Sequence, residues 1–120
     1  MSISQERPLT IIQSPHRLDS YANEEYAKDC VYDSLMRGEA PISLDLLYLE
    51  TLDMRSQFDR DLGRVACAEI MKRADLMAVY IDRGISLPMR NNMHIATIYD
   101  IEVVERTLHD APITRPNKYR

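Results

Sequence analysis

The segment DLMAVYID, residues 75–82, is the feature that most constrains the fold, because its apolar centre is unbroken. A strand with one face in water alternates apolar and polar residues, whereas a strand covered on both faces does not. An uninterrupted run of this kind is typical of a central strand in a parallel sheet with helices on both sides. We therefore predict that this segment is such a strand.

Other apolar patterns place three more strands and three helices around this one. In chain order the predicted elements are a strand at 8–13, a helix from Ser20 or Asn23 to Arg37, a strand at 40–44, a helix at 56–74, the strand at 75–82, a helix at 87–100 and a strand at 101–108. The segment 46–53 fits either a helical turn or a loop, and periodicity does not decide between them.

Capping residues support the predicted helix ends. Gly38 follows the first helix as a stop signal, Ser56 opens the second helix, and Pro88 lies in the first turn of the third. In the second helix, Leu62 and Val65 belong to the apolar stripe that we expect to face the sheet.

This alternation of strands and helices predicts the fold class. Strand, helix, strand units imply right-handed crossovers and a parallel sheet. We expect an α/β three-layer sandwich with a short parallel sheet of four or five strands, of the Rossmann-like or flavodoxin-like kind. Residues 1–120 form a single domain, in which 111–120 is an extended tail.

Composition narrows the possible partners and the location. A net charge of −4 and the lack of a long basic run argue against a nucleic acid polymer as partner. No apolar run approaches the roughly 20 residues of a membrane span, so we predict a cytoplasmic protein that does not bind membranes. Cys30 and Cys67 fall within amphipathic patterns and are expected to be reduced core thiols, with no metal site.

Ligands of such sheets bind outside the carboxyl ends of the strands, and three segments are expected to meet there. They are 13–16, 45–53 and 82–92. In the last of these, Gly84 permits a tight turn, and the free backbone N–H groups of the following helix suit an anionic or highly polar ligand group.

Several side chains in these segments are candidate ligand contacts. Asn92 lies on the inward stripe of its helix, although it could simply hydrogen-bond the neighbouring loop. Asp82 could accept from sugar hydroxyls or cap the following loop, and Arg90 could be solvated. The complete set of candidate ligand-binding residues is Ser14, Pro15, His16, Asp45, Tyr48, Asp82, Arg83, Gly84, Ser86, Met89, Arg90 and Asn92.

Common catalytic and cofactor motifs are missing. The loop after the first strand lacks the three-glycine dinucleotide fingerprint, and the chain has neither a nucleophile elbow nor a phosphate-binding lysine loop. We therefore expect no cofactor and neither standard hydrolase nor kinase chemistry.

Three blocks of sequence resemble a known family. They are QSPH at 13–16, DSLMRGEAPISLDLLYLETLD at 33–53 and ADLMAVYIDRGISLPMRNNMHIA at 74–96. Over residues 10–108 the chain resembles the nucleoside 2-deoxyribosyltransferase-like proteins, especially a small branch common in phage and bacterial genomes. The resemblance implies a site for a nucleoside or a nucleotide.

The resemblance also implies a change in chemistry. In competent relatives a glutamate early in the last helix attacks the anomeric carbon of a deoxyribonucleoside. Asn92 occupies that position here, Pro88 replaces a glycine, and Asp45 replaces a histidine. An amide is a very poor nucleophile, so standard glycosyl transfer is not expected.

Three functions therefore stay open. In the first, which we prefer, the protein binds a nucleoside- or nucleotide-like molecule without turnover, as a sensor or a sequestering protein. In the second it is an N-glycosidase or deoxyribosyltransferase acting on deoxynucleosides or deoxynucleotides, with Asp82, Asp45 or a carboxylate of another subunit in the missing role. In the third the pocket is vestigial and the domain is a structural or interaction module. A homo-oligomer is expected, because so small a sheet buries limited area.

Overall fold

A computed structural model of the chain describes residues 6–15, 20–109 and 115–116. Its elements are β1 (Leu9–Gln13), α1 (Tyr21–Met36), β2 (Ala40–Ser43), α2 (Leu44–Leu47), α3 (Gln57–Met71), β3 (Leu76–Tyr80), α4 (Leu87–Ile98) and β4 (Glu102–Arg106). The predicted order of strands and helices is confirmed, and the undecided segment 46–53 begins within the short helix α2. Most of the predicted tail, 111–120, lies outside the described residues.

The four strands form one parallel sheet in the order β2-β1-β3-β4. The chain leaves β1 towards β2 on one side and then crosses to β3 on the other side of β1. The connections thus diverge between β1 and β3, and this divergence opens a crevice at the carboxyl ends of these two strands. The predicted parallel α/β sandwich is confirmed.

Each face of the sheet has its own core. On one face, Ile11, Met77 and Val79 pack with residues of the later helices, namely Met71 of α3 together with Met89 and Ala96 of α4. On the other face, Ile12, Ala78 and Tyr80 pack against Tyr26 and Cys30 of α1. Met77 to Tyr80 are all fully buried, because helices cover β3 on both sides.

The orientation of α3 differs from the sequence prediction. Leu62 and Val65 are 52% and 62% exposed, and the helix buries Gly63 and Met71 instead. A Cβ atom on Gly63 would lie 2.8 Å from Cδ1 of Leu52, so the missing side chain lets the preceding segment pack closely here. The predicted inward stripe was wrong because α3 carries apolar residues on two sides, and periodicity cannot say which side meets the sheet.

An ion pair on the α1 side of the sheet links the two edge strands, β2 and β4. Arg106, the last residue of β4, donates to Glu39, which precedes β2, with 2.8 Å between Nη1 and Oε1. Both side chains are about nine-tenths buried, and Ser34 of α1 donates to the same carboxylate. Burial would raise the pKa of Glu39, but the hydrogen bonds from Arg106 and Ser34 outweigh it and lower that pKa.

None of the helices within the described residues is long and apolar enough to cross a membrane.

Replacing Arg106 by methionine is expected to lower the free energy of unfolding by about 3–5 kcal/mol, because it leaves the buried Glu39 carboxylate without its cationic partner. Urea denaturation at neutral pH measures this loss. The loss should shrink in acid: the folded-state pKa of Glu39 is lowered, so its contribution is present above the unfolded pKa of about 4.3 and disappears as the pH falls through the folded value. Arg73→Met is the control, since Arg73 pairs with Glu69 at an exposed site. Equal losses in the two variants would contradict the buried-pair explanation.

Candidate functional site

A cavity of about 860 Å³ opens between α3, α4 and the segment that follows β2. Its size falls within the range of small-molecule sites, and most of its surface is apolar. Asp45, Tyr48 and Asn92 all line it. Three residues singled out in two separate segments of the sequence thus share one hollow.

Asn92 reaches from α4 to the carboxyl end of β1. Its Nδ2 donates to Oε1 of Gln13 at 3.1 Å, and Gln13 is only 5% exposed. Asn92 therefore makes a structural hydrogen bond, as one of the two alternatives expected, and it also lines the cavity. Gln13 begins the segment 13–16 that was expected at the crevice, but it was not among the candidate ligand contacts. The signal for a role was a polar residue at the end of the otherwise apolar strand β1.

Ser14 follows Gln13 directly and is 4% exposed. Its Oγ has no hydrogen-bond partner among the described residues. Native proteins rarely leave a buried hydroxyl unpaired, so the end of β1 retains capacity for a polar contact. Pro15 is also buried, whereas His16 lies outside the described residues.

Asp82 serves as an anchor on the opposite side of the sheet from the cavity. Its carboxylate accepts from the hydroxyl of Tyr26 at 2.6 Å and from the backbone N–H of Leu108 at 3.0 Å. Burial would raise the pKa of Asp82, but these hydrogen bonds outweigh it and lower the pKa. Asp82 is absent from the described residues that line the cavity. These contacts correspond to the loop-capping alternative.

The remaining residues of the β3–α4 connection shape the start of α4. Gly84 has a φ of 85°, which glycine adopts without strain. Ser86 is the N-cap, and its side chain accepts from the backbone N–H of Met89, which lies in the core at 2% exposure. Ser86 thus caps the start of α4, and Met89 belongs to the hydrophobic core.

Two arginines of this connection are at the surface. Arg90 is exposed on the first turn of α4. The guanidinium of Arg83 lies 5.8 Å from the ring centroid of Tyr26, within the range of a cation–π contact. Arg83 therefore stands on the Asp82 side, away from Asn92.

Cys67 of α3 lines the cavity and is half-buried, so the prediction of a core thiol was correct for Cys30 alone. Burial raises the pKa of the Cys67 thiol, and the carboxylate of Asp45 raises it further. A thiol in this environment stays protonated and is a weak nucleophile.

Tyr26→Phe is expected to lower the free energy of unfolding by about 1–3 kcal/mol at neutral pH, because Asp82 loses its hydroxyl donor in a buried position. The lowered folded-state pKa of Asp82 means that this contribution is present above the unfolded pKa of about 3.9 and is lost as the pH falls through the folded value. Denaturant unfolding of wild type and variant across this acid range measures both effects. Tyr21→Phe is the control, since Tyr21 is 75% exposed. An unchanged stability of Tyr26→Phe would rule out the anchoring role.

Comparison with known proteins identifies a family that covers most of the chain. No curated protein matches the chain. A family model described as a domain of unknown function, DUF7768, matches residues 8–106. This match runs from the start of β1 to the end of β4 and includes the residues of the crevice and of the cavity. The chain therefore belongs to the DUF7768 family.

Proposed function

We propose that this protein binds a nucleoside- or nucleotide-like small molecule in the cavity beside the carboxyl ends of β1 and β3, without standard glycosyl transfer. The observation that carries the proposal is the meeting of Asp45, Tyr48 and Asn92 in one largely apolar hollow of suitable size. The resemblance to nucleoside 2-deoxyribosyltransferase-like proteins is a second support. The proposal includes the cytoplasmic location that the composition favours.

The chemistry of the walls suits such a ligand. An apolar hollow with an aromatic side chain accommodates the flat ring of a base, as Tyr48 and its apolar neighbours could do here. The amide of Asn92 and the carboxylate of Asp45 can hydrogen-bond hydroxyl or N–H groups. Few polar groups on an apolar surface are typical of small-molecule sites, where they fix the orientation of the ligand.

Binding without turnover is favoured over catalysis by the absence of a suitable nucleophile in the expected place. Asn92 stands where the resemblance requires a glutamate, and an amide does not attack an anomeric carbon. The carboxylate of Asp82 is engaged by Tyr26 and Leu108. Asp45 lines the same cavity as Asn92, and for this reason an N-glycosidase or deoxyribosyltransferase remains the second candidate.

Calorimetric titration with thymidine, deoxycytidine, deoxyadenosine, deoxyguanosine and their 5′-monophosphates is expected to show saturable binding of at least one compound. Asn92→Ala should weaken that binding about tenfold or more, the equivalent of one lost hydrogen bond in a buried site. Thr97→Ala is the matched control, because Thr97 is an exposed polar residue of the same helix. Heat with none of the compounds would favour the vestigial pocket, and release of free base would favour the enzyme.

A second proposal concerns self-association. Phe58, Leu62 and Val65 stand on one side of α3 and are 72%, 52% and 62% exposed. Three large apolar side chains at this spacing form a continuous stripe, which a monomer of this size rarely leaves in water. A second copy can cover it by placing the same stripe of its own α3 against it, as a twofold interface requires.

Light scattering on a sizing column is expected to give at least a dimer for the wild type. Leu62→Glu should shift the population to the monomer, because it puts a charge at the centre of the stripe. Leu35→Glu serves as control, since Leu35 is a comparably exposed leucine on α1. A monomeric wild type, or identical behaviour of the two variants, would exclude this interface.

A further inference from the structure

Gln13 holds an unusual position for an uncharged polar side chain. It ends β1, where its backbone lies in register with Val79 of β3, and it is 5% exposed. A residue in the centre of the sheet has a fixed backbone, so its side chain can serve as a rigid support for a neighbour. Its one hydrogen bond to a described side chain is the bond from Asn92.

That bond uses one N–H of the Asn92 amide and leaves the carbonyl oxygen, Oδ1, without a partner among the described residues. The Nδ2 group of Asn92 points to Gln13, so Oδ1 is the other end of the same planar amide. No further hydrogen bond of Asn92 exists within the described ranges of the chain. The cavity wall at Asn92 therefore offers a carbonyl oxygen, which is an acceptor.

We propose that Gln13 is a positioning residue, which fixes the Asn92 amide so that the cavity presents an acceptor and selects ligands with a hydroxyl or N–H donor at this place. The inference rests on the proposed function, since it concerns the same cavity. It adds a residue outside the candidate set and a rule for which ligand groups fit. Gln13 acts through Asn92 and does not touch the ligand itself.

The surroundings strengthen this selection. Asp45 supplies a second acceptor in the same cavity, and its negative charge disfavours a ligand anion nearby. Three cationic groups also line the cavity. Arg64 and Lys72 are each paired with an acidic neighbour on α3. Arg60 donates to the backbone oxygen of Met54 and to the side-chain oxygen of Gln57. A sugar hydroxyl or a ring N–H satisfies two acceptors, whereas a phosphate group would leave them facing negative oxygens.

If the side-chain amides of Gln13 and Asn92 were both turned around, the cavity would present a donor in place of an acceptor. If Gln13 donated its Nε2 to Asn92 Oδ1, the cavity would instead receive the Nδ2 donor of Asn92. A carboxylate in place of Asn92 separates the two cases, because it keeps the acceptor and removes the donor. The Gln13 amide can turn and donate to that carboxylate.

The experiment measures binding of thymidine, deoxycytidine, deoxyadenosine and deoxyguanosine by calorimetry to the wild type and five variants. Gln13→Glu should retain the affinity of the wild type within about threefold, since its carboxylate still accepts from Nδ2 of Asn92. Asn92→Asp keeps the acceptor in the cavity and should therefore lose clearly less affinity than Asn92→Ala. Gln13→Met, of similar size, should lose about tenfold, because it frees the Asn92 amide to rotate. The double variant Gln13→Glu with Asn92→Asp should bind far more weakly than the two single effects combined, because it sets two carboxylates against each other.

Thermal unfolding of each variant verifies that it is folded, and the two conservative variants keep the test decisive if Gln13→Met is unstable. A loss in Asn92→Asp as large as the loss in Asn92→Ala would overturn the acceptor role. Additive effects in the double variant, or wild-type binding by Gln13→Met, would overturn the positioning role while the proposed function stands. If no deoxynucleoside binds to the wild type, the proposed function fails and this inference fails with it.

Discussion

The burial of β3 on both faces determines where the rest of the structure can lie. Four consecutive residues, Met77 to Tyr80, are fully excluded from water, which requires a helical layer above and below the sheet. Since consecutive side chains of a strand point to opposite faces, these four divide between the two cores. A polar substitution at Met77, Ala78 or Val79 would leave a buried group without a partner, whereas the hydroxyl of Tyr80 has Asp33 as its partner.

The two faces of the sheet have different characters as a consequence. On the α1 face, polar groups are paired within the chain: Tyr26 with Asp82, Tyr80 with Asp33, and Arg106 with Glu39. The first two bonds tie α1 to β3 and to the residues that follow it, and the third ties the end of β4 to the start of β2. On the α4 face, the cavity lies between α3, α4 and the segment that follows β2. The α1 face is therefore held together by internal hydrogen bonds, whereas the α4 face contains the cavity.

The candidate site depends on this division. Asn92 can line the cavity in a defined orientation because Gln13, rooted in the sheet, holds one end of its amide. Asp82 was an equally attractive candidate by position, since it lies two residues beyond the end of β3, the strand that ends at the crevice. Its side chain turns to the α1 face because Tyr26 and Leu108 supply donors there, and a carboxylate leaving water needs such donors.

The sequence by itself determined the elements, their order, the parallel sheet and the segments that end near the crevice. These features follow from local burial patterns, and each is readable from neighbours a few residues apart. Only the tertiary structure decided that Asn92 meets Gln13, that Asp82 meets Tyr26, and that Leu62 and Val65 of α3 face outward. The physical reason is that a polar side chain takes its partner from whichever strand or helix the crossovers place beside it. Those partners lie 56 and 79 residues away in the two hydrogen bonds, far beyond the reach of any periodicity.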